Sequence, residues 1–136
     1  SFINKYFDFK NLLYIGIRDI DDYEKEVIEK YNISFLNLND INNNCKRTLE
    51  IIKDFVRDDP IHLSFDVDCL DPDIVPCTGT KVKNGLHLRQ TKTILDSLIN
   101  KNIVNMDITE LNFELGSEND KRKTFNNITY LFNNFL

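Results

Sequence analysis

Four short apolar runs alternate with segments whose apolar residues recur at helical spacing, and this rhythm constrains the fold of the chain more than any other feature. Leu12-Leu13-Tyr14-Ile15-Gly16-Ile17 is nearly unbroken, as expected of a strand covered on both faces in a parallel sheet. A polar turn, Arg18 to Asp22, leads into a predicted helix over Tyr23 to Tyr31, and Ile33 to Leu38 alternates well enough for a second strand. Asp40 is the expected cap of a helix striped by Cys45, Leu49, Ile52 and Val56 and stopped by Asp58-Asp59-Pro60. Ile61 to Asp66 reads as a third strand, followed by a long loop from Val67 to about Leu86 with Pro72, Pro76, Gly79 and Gly85. Leu88, Leu95 and Leu98 stripe the next helix, Ile103 to Ile108 forms a fourth strand, and Phe125, Ile128, Phe132 and Phe135 stripe the last helix. The order βαβαβαβα predicts an α/β fold, a parallel sheet with flanking helices and with working residues at the carboxyl ends of the strands.

With 136 residues the chain has room for one core, so 1–136 is expected to be a single α/β unit. Seventeen basic against 22 acidic side chains, a formal charge of −5, oppose binding to nucleic acid or to an anionic membrane. No apolar run approaches the roughly 20 residues of a membrane span. Cys45, Cys69 and Cys77 form no CxxC pair, which suits a reducing, cytoplasmic setting. Ser1 to Lys10 has apolar residues without a clear period and reads as a lead-in from a preceding element.

The densest chemistry lies in Ser64-Phe65-Asp66-Val67-Asp68-Cys69-Leu70-Asp71-Pro72. On an extended chain alternate residues project to one side, so Asp66 and Asp68 are expected to point together out of the strand's end. Two such carboxylates repel unless a cation lies between them, and hard oxygen donors select Mg, Mn or Ca. The same residues would also serve as an acidic cap on a buried strand, with Asp71 bonding its own backbone. Pro76-Cys77-Thr78-Gly79-Thr80 could bring hydroxyls and amides over that strand end, or be an ordinary loop in which Gly79 takes a positive φ. Glu110, after the fourth strand, could receive a guanidinium or merely cap a helix. Asp21 and Glu24, three apart at a helix start, could hold a substrate ammonium or answer the helix dipole. His62 is read as a packed or surface histidine and His87, beside Gly85-Leu86, could lie near the site; neither falls in an HxxxH or HExxH pattern, and neither is assigned to metal. Nothing resembles a phosphate-cradling GxxxxGK[ST] loop.

In this order the segments resemble the C-terminal half of arginases, members of the ureohydrolase family, over about Asn11 to Leu136. Ser64 to Pro72 with Thr78-Gly79-Thr80 and Gly85-Leu86 carries the likeness most strongly. The resemblance implies a three-layer αβα fold and hydrolysis of L-arginine to L-ornithine and urea, a metal-bridging hydroxide attacking the guanidinium carbon. It implies that Asp66 and Asp68 bind a pair of Mn2+ ions, that Thr80 lies near the substrate, that Glu110 orients the guanidinium, and that Asp21 and Glu24 receive the α-amino end. A homotrimer is implied as well. Agmatine, which lacks the amino acid head, is the alternative substrate, and a non-catalytic ureohydrolase-like assembly subunit is the alternative from another class.

Several positions depart from the family pattern. Cys69 stands where a glycine is usual, Lys81 and Asn84 replace a proline and a glycine, His87 replaces a threonine, Phe113 follows Asn112 where a proline is common, and Gln90 stands beside Arg89 in place of a glutamate that helps join subunits. The family's other ligands, a histidine and a DxHxD cluster, and its catalytic histidine have no counterpart in these residues. Two carboxylates do not close a two-metal site. The chain is therefore expected to be a portion of a larger arginase-like domain, inactive by itself.

Overall fold

The computed structural model of the chain describes residues 8–135. Most of the expected lead-in lies outside that range; its end forms a 3-10 turn, Phe9–Asn11, capped by the Asp8 carboxylate accepting the Lys10 N–H at 3.1 Å. Strands β1 (Leu13–Ile17), β2 (Ser34–Asn37), β3 (Ile61–Asp66) and β4 (Ile103–Thr109) alternate with helices α1 (Asp22–Tyr31), α2 (Leu38–Asn43), α3 (Cys45–Val56), α4 (Leu88–Asp96) and α5 (Glu118–Phe132). Both strand pairings are parallel, as the rhythm of the sequence requires. They are realised, among the described residues, as two separate ribbons, β1 with β2 and β3 with β4, rather than as one continuous sheet.

Two helix assignments differ from expectation. Asp40 does not start the helix after β2. Asn37 does, accepting the Asp40 N–H at 3.0 Å while the Asp40 carboxylate accepts the Asn37 N–H at 3.0 Å, and this reciprocal box inserts the short helix α2 before Asn44 caps α3. On α5, Phe125 lies 61% exposed and outside the apolar stripe. Thr124, Leu131 and Phe132 are the buried positions instead, because one residue is a 100° step and places Phe125 on the neighbouring face. Thr124 holds its buried place by accepting the Cys77 N–H at 3.2 Å.

The core gathers beneath β3, where Leu63 and Phe65 point inward and Phe65 meets Phe132 edge to face at 5.1 Å. The opposite face of the ribbon is polar: His62, Ser64 and Asp66 stand beside Asn105, Asp107 and Thr109 in register. Ser64 Oγ donates to Asp107 at 2.6 Å, His62 Nε2 lies 2.9 Å from the same carboxylate, and Asn105 Nδ2 lies 2.9 Å from His62 Nδ1.

The long loop after β3 is a folded structure. A 3-10 turn, Val67–Cys69, opens it, and the Leu86 N–H returns to the Cys69 carbonyl at 2.9 Å. Asp71 does bond its own backbone, accepting the Asp73 N–H at 2.9 Å, and it also reaches the Asn84 N–H at 2.8 Å across the loop. Gly79 does not take a positive φ; Asn84 does, at 62°. Gly85 is required for its bareness, since a Cβ there would lie 2.3 Å from the Leu70 carbonyl carbon and 2.4 Å from the Asp71 nitrogen.

Gly85→Ala in the full-length protein is therefore expected to cost about 1–3 kcal/mol of unfolding free energy, read from denaturant midpoints. The hydrogen bond from Asp73, and next those from Asn84 and Gly85, hold the Asp71 carboxyl below the ordinary range. Its anchoring of the loop is then complete above the ordinary carboxylate pKa of about 3.9 and is lost as pH falls through the lower folded value. Protection of the Asn84 amide against hydrogen exchange should follow that acid transition, and Asp71→Asn should remove the pH dependence.

Candidate active site

Asp66 is the last residue of β3, and its carboxylate accepts the Asp68 N–H at 2.8 Å. That bond caps the 3-10 turn, which the Leu70 N–H closes on the Val67 carbonyl at 3.1 Å, so Asp68 leaves the extended path on which simple alternation would have placed it. Its side chain is aimed by another contact: the buried Thr78 hydroxyl sits against Asp68 Oδ1 in a short hydrogen bond. The same hydroxyl lies 3.1 Å from the Glu110 carbonyl. Asn112 N–H donates to the Cys77 carbonyl at 3.0 Å, and Thr78 bridges Leu111, so the loop after β3 is stitched to the end of β4.

Glu110 occupies that junction with φ at 61°, a left-handed conformation, and its Oε2 lies 4.0 Å from the point where a Cβ on Gly79 would be. Thr80 is exposed beyond it and makes no hydrogen bond to Asp66, Asp68 or Glu110. Thr78 is thus the hydroxyl that engages the Asp68 carboxylate, a distinction between two threonines in one short segment that only the fold of the loop resolves.

Asp21 and Glu24 form a reciprocal capping box at the start of α1. Asp21 accepts the Glu24 N–H at 2.8 Å and Glu24 accepts the Asp21 N–H at 2.9 Å. Each bond occupies one carboxylate oxygen, and both residues are exposed, so capping and reception of a cationic group are compatible.

Arg18, between β1 and α1, opens the polar segment read from the sequence, which gives it no role of its own. Its Nη2 donates to the carbonyls of Asp68 at 2.6 Å, Val82 at 2.9 Å and Leu70 at 3.5 Å, and its Nη1 donates to the Cys69 carbonyl at 3.1 Å. Its Nε is buried and has no partner among the described residues. Gly16, with φ at 86°, brings β1 against Leu86 in the same region; a Cβ there would lie 2.9 Å from Leu86 Cδ1.

Burial, and after it the negative charge of Asp66, pushes the Cys69 thiol up to about 12. A neutral thiol adds no donor suited to a hard cation. The carboxylate oxygens of Asp66 and Asp68 do suit one, and each retains an oxygen with no hydrogen bond among the described residues. They supply part of a coordination sphere: among the described residues no group of three or more His, Cys, Asp and Glu could enclose a metal ion. His62 is tied to Asp107, and the His87 N–H donates to Gln90 at 3.4 Å.

The family description "Arginase family" matches residues 2–132. The arginase of Glaciozyma antarctica is 38% identical over 113 residues, covering 79% of this chain and 33% of its own length. The chain thus spans about a third of that curated relative. Among solved structures, an Entamoeba histolytica arginase in complex with L-ornithine superposes with a TM-score of 0.81 at 31% identity, covering 93% of this chain and 44% of that one. A hypothetical agmatinase from Burkholderia thailandensis superposes with a TM-score of 0.76 at 27% identity, covering 95% of this chain and 39% of that one. The family match extends over nearly the whole sequence, and the chain belongs to the arginase family.

Proposed function

We propose that the protein to which this chain belongs hydrolyses L-arginine to L-ornithine and urea, with two Mn2+ ions, and that the chain supplies part of the site. The observation that carries the reading is that Thr78 joins the Asp68 carboxylate to the backbone at Glu110, with Asp66 bonded to the Asp68 N–H beside it, in a chain of the arginase family. Water adds its oxygen to the guanidinium carbon, the bond from that carbon to the side-chain nitrogen breaks, and that nitrogen leaves as the ornithine amine after gaining a proton. Asp66 and Asp68 would hold the metal ions, whose chemistry when bound is activation of water at neutral pH. Glu110 orients the guanidinium through a planar, charge-assisted pair. Asp21 and Glu24 receive the α-amino group with the oxygens their capping bonds leave free, and Thr80 lines the approach. Metal donors still lacking from the pair Asp66 and Asp68 come from outside these residues, so the chain alone is inactive.

The structural likeness to an agmatinase keeps agmatine as the second reading. Purified full-length protein should release urea from L-arginine, and Asp66→Ala should lower both manganese retention and urea release by at least about 100-fold, measured by elemental analysis and a urea assay. Unchanged metal content and activity would sink the assignment. Asp21→Asn with Glu24→Gln should raise KM for L-arginine and leave that for agmatine in place; a substrate preference indifferent to both changes would favour agmatine.

A further inference from the structure

The functional reading leaves one residue unused that touches more of the site's framework than any carboxylate in it. Arg18 sits directly after β1, on the segment that continues into Asp21 and Glu24. Its guanidinium meets three consecutive carbonyls, Asp68, Cys69 and Leu70, and a fourth from Val82 on the far side of the same loop. The first three lie at the end of a 3-10 turn, where carbonyls lack partners along the helix. Asp68 is consequently gripped from two sides, its carbonyl by Arg18 at 2.6 Å and its carboxylate by Thr78. Among the described residues no hydrogen bond or ion pair joins the guanidinium to a carboxylate, so its role is one of donor geometry rather than ion pairing.

We propose that Arg18 is a positioning residue that fixes the metal-side carboxylate Asp68 relative to the substrate-side segment Asp21 to Glu24, acting through the backbone of the loop after β3. The clause concerning metal rests on the reading of Asp66 and Asp68 as manganese ligands; the clause concerning the loop stands on the hydrogen bonds alone. A planar fork with five N–H donors can serve carbonyls lying on both arms of the loop, which a lysine ammonium serves only in part and a glutamine amide hardly at all. Arg18→Lys and Arg18→Gln should therefore form a graded series.

Val82 lies between Lys81 and Lys83, so the grip is open to direct measurement. In metal-free full-length protein, cleavage by Lys-C after Lys81 and Lys83, followed by mass spectrometry, should be at least about fivefold faster in Arg18→Gln than in the parent and intermediate in Arg18→Lys. The manganese concentration giving half-maximal urea release should rise about tenfold or more in Arg18→Gln and less in Arg18→Lys, with kcat at saturating manganese within about threefold of the parent. Direct manganese binding by calorimetry should shift by the same factor. Cleavage rates and manganese affinity both within twofold of the parent, in folded variants, would overturn the proposal. So would a lost kcat at saturating manganese with affinity intact, which would make Arg18 a substrate contact, and so would failure of both variants to fold, which would make it a folding residue. A parent that takes up no manganese would sink the ligand reading, and the Lys-C series would still decide whether Arg18 holds the loop.

Discussion

A turn whose last carbonyls face away from the chain that follows must find donors for them; the Cys69 carbonyl takes the Leu86 N–H, and those of Asp68 and Leu70 look to another segment. Here one guanidinium reaches all three, and its position at the end of β1 makes that contact a joint between β1 and the loop after β3. Bonds to a charged donor are each worth about 1.5–3 kcal/mol, more than those between neutral groups, so the joint is strong for its size. The close approach of Gly16 to Leu86 follows from it, because a side chain at that point would hold β1 away from the loop that Arg18 draws in. Asp71 and Gly85 complete the arrangement by pinning the two arms of the loop to each other.

The β3–β4 ribbon shows how a parallel pair can present chemistry at its carboxyl end without losing its core. Phe65 and Leu63 bury one face against α5, while His62, Ser64 and Asp66 carry polar groups on the other. Asp107 satisfies both Ser64 and His62, which keeps that face ordered up to Asp66. A hydrogen-bonded face of this kind is unusual for parallel strands, whose two faces are ordinarily apolar. It ends where the candidate ligands begin.

Much of this was legible in the residues. Apolar runs at strand length and stripes at helical spacing sufficed for the α/β order, because burial on one or both faces dictates those periods. Asp21 and Glu24 were placed at a helix start by spacing alone, and the capping box bears that out. What was not legible depended on contacts between distant segments. Asn37 and Asp40 both suit a helix start, and only the packing of Ile41 into the core selects the earlier one. Phe125 fits a stripe by eye and loses it by one residue's rotation. Asp68 leaves the strand direction because the Asp66 carboxylate captures its N–H, and Thr78 rather than Thr80 reaches it because Leu111 pairs with the loop there. The role of Arg18 was hidden for the same reason: its partners are backbone carbonyls some fifty residues away, which no side-chain pattern announces.

Glu110 stands in a left-handed backbone conformation that a residue with a Cβ adopts at some steric cost, and that glycine adopts freely. Selection for stability alone would therefore favour glycine at this corner. A carboxylate held there against that preference marks a place where folding and the proposed chemistry pull apart, so Glu110→Gly is a substitution that would relax the backbone while removing the carboxylate to which the proposed function gives the guanidinium. Such a corner is where a stabilised variant of this protein would first lose its purpose.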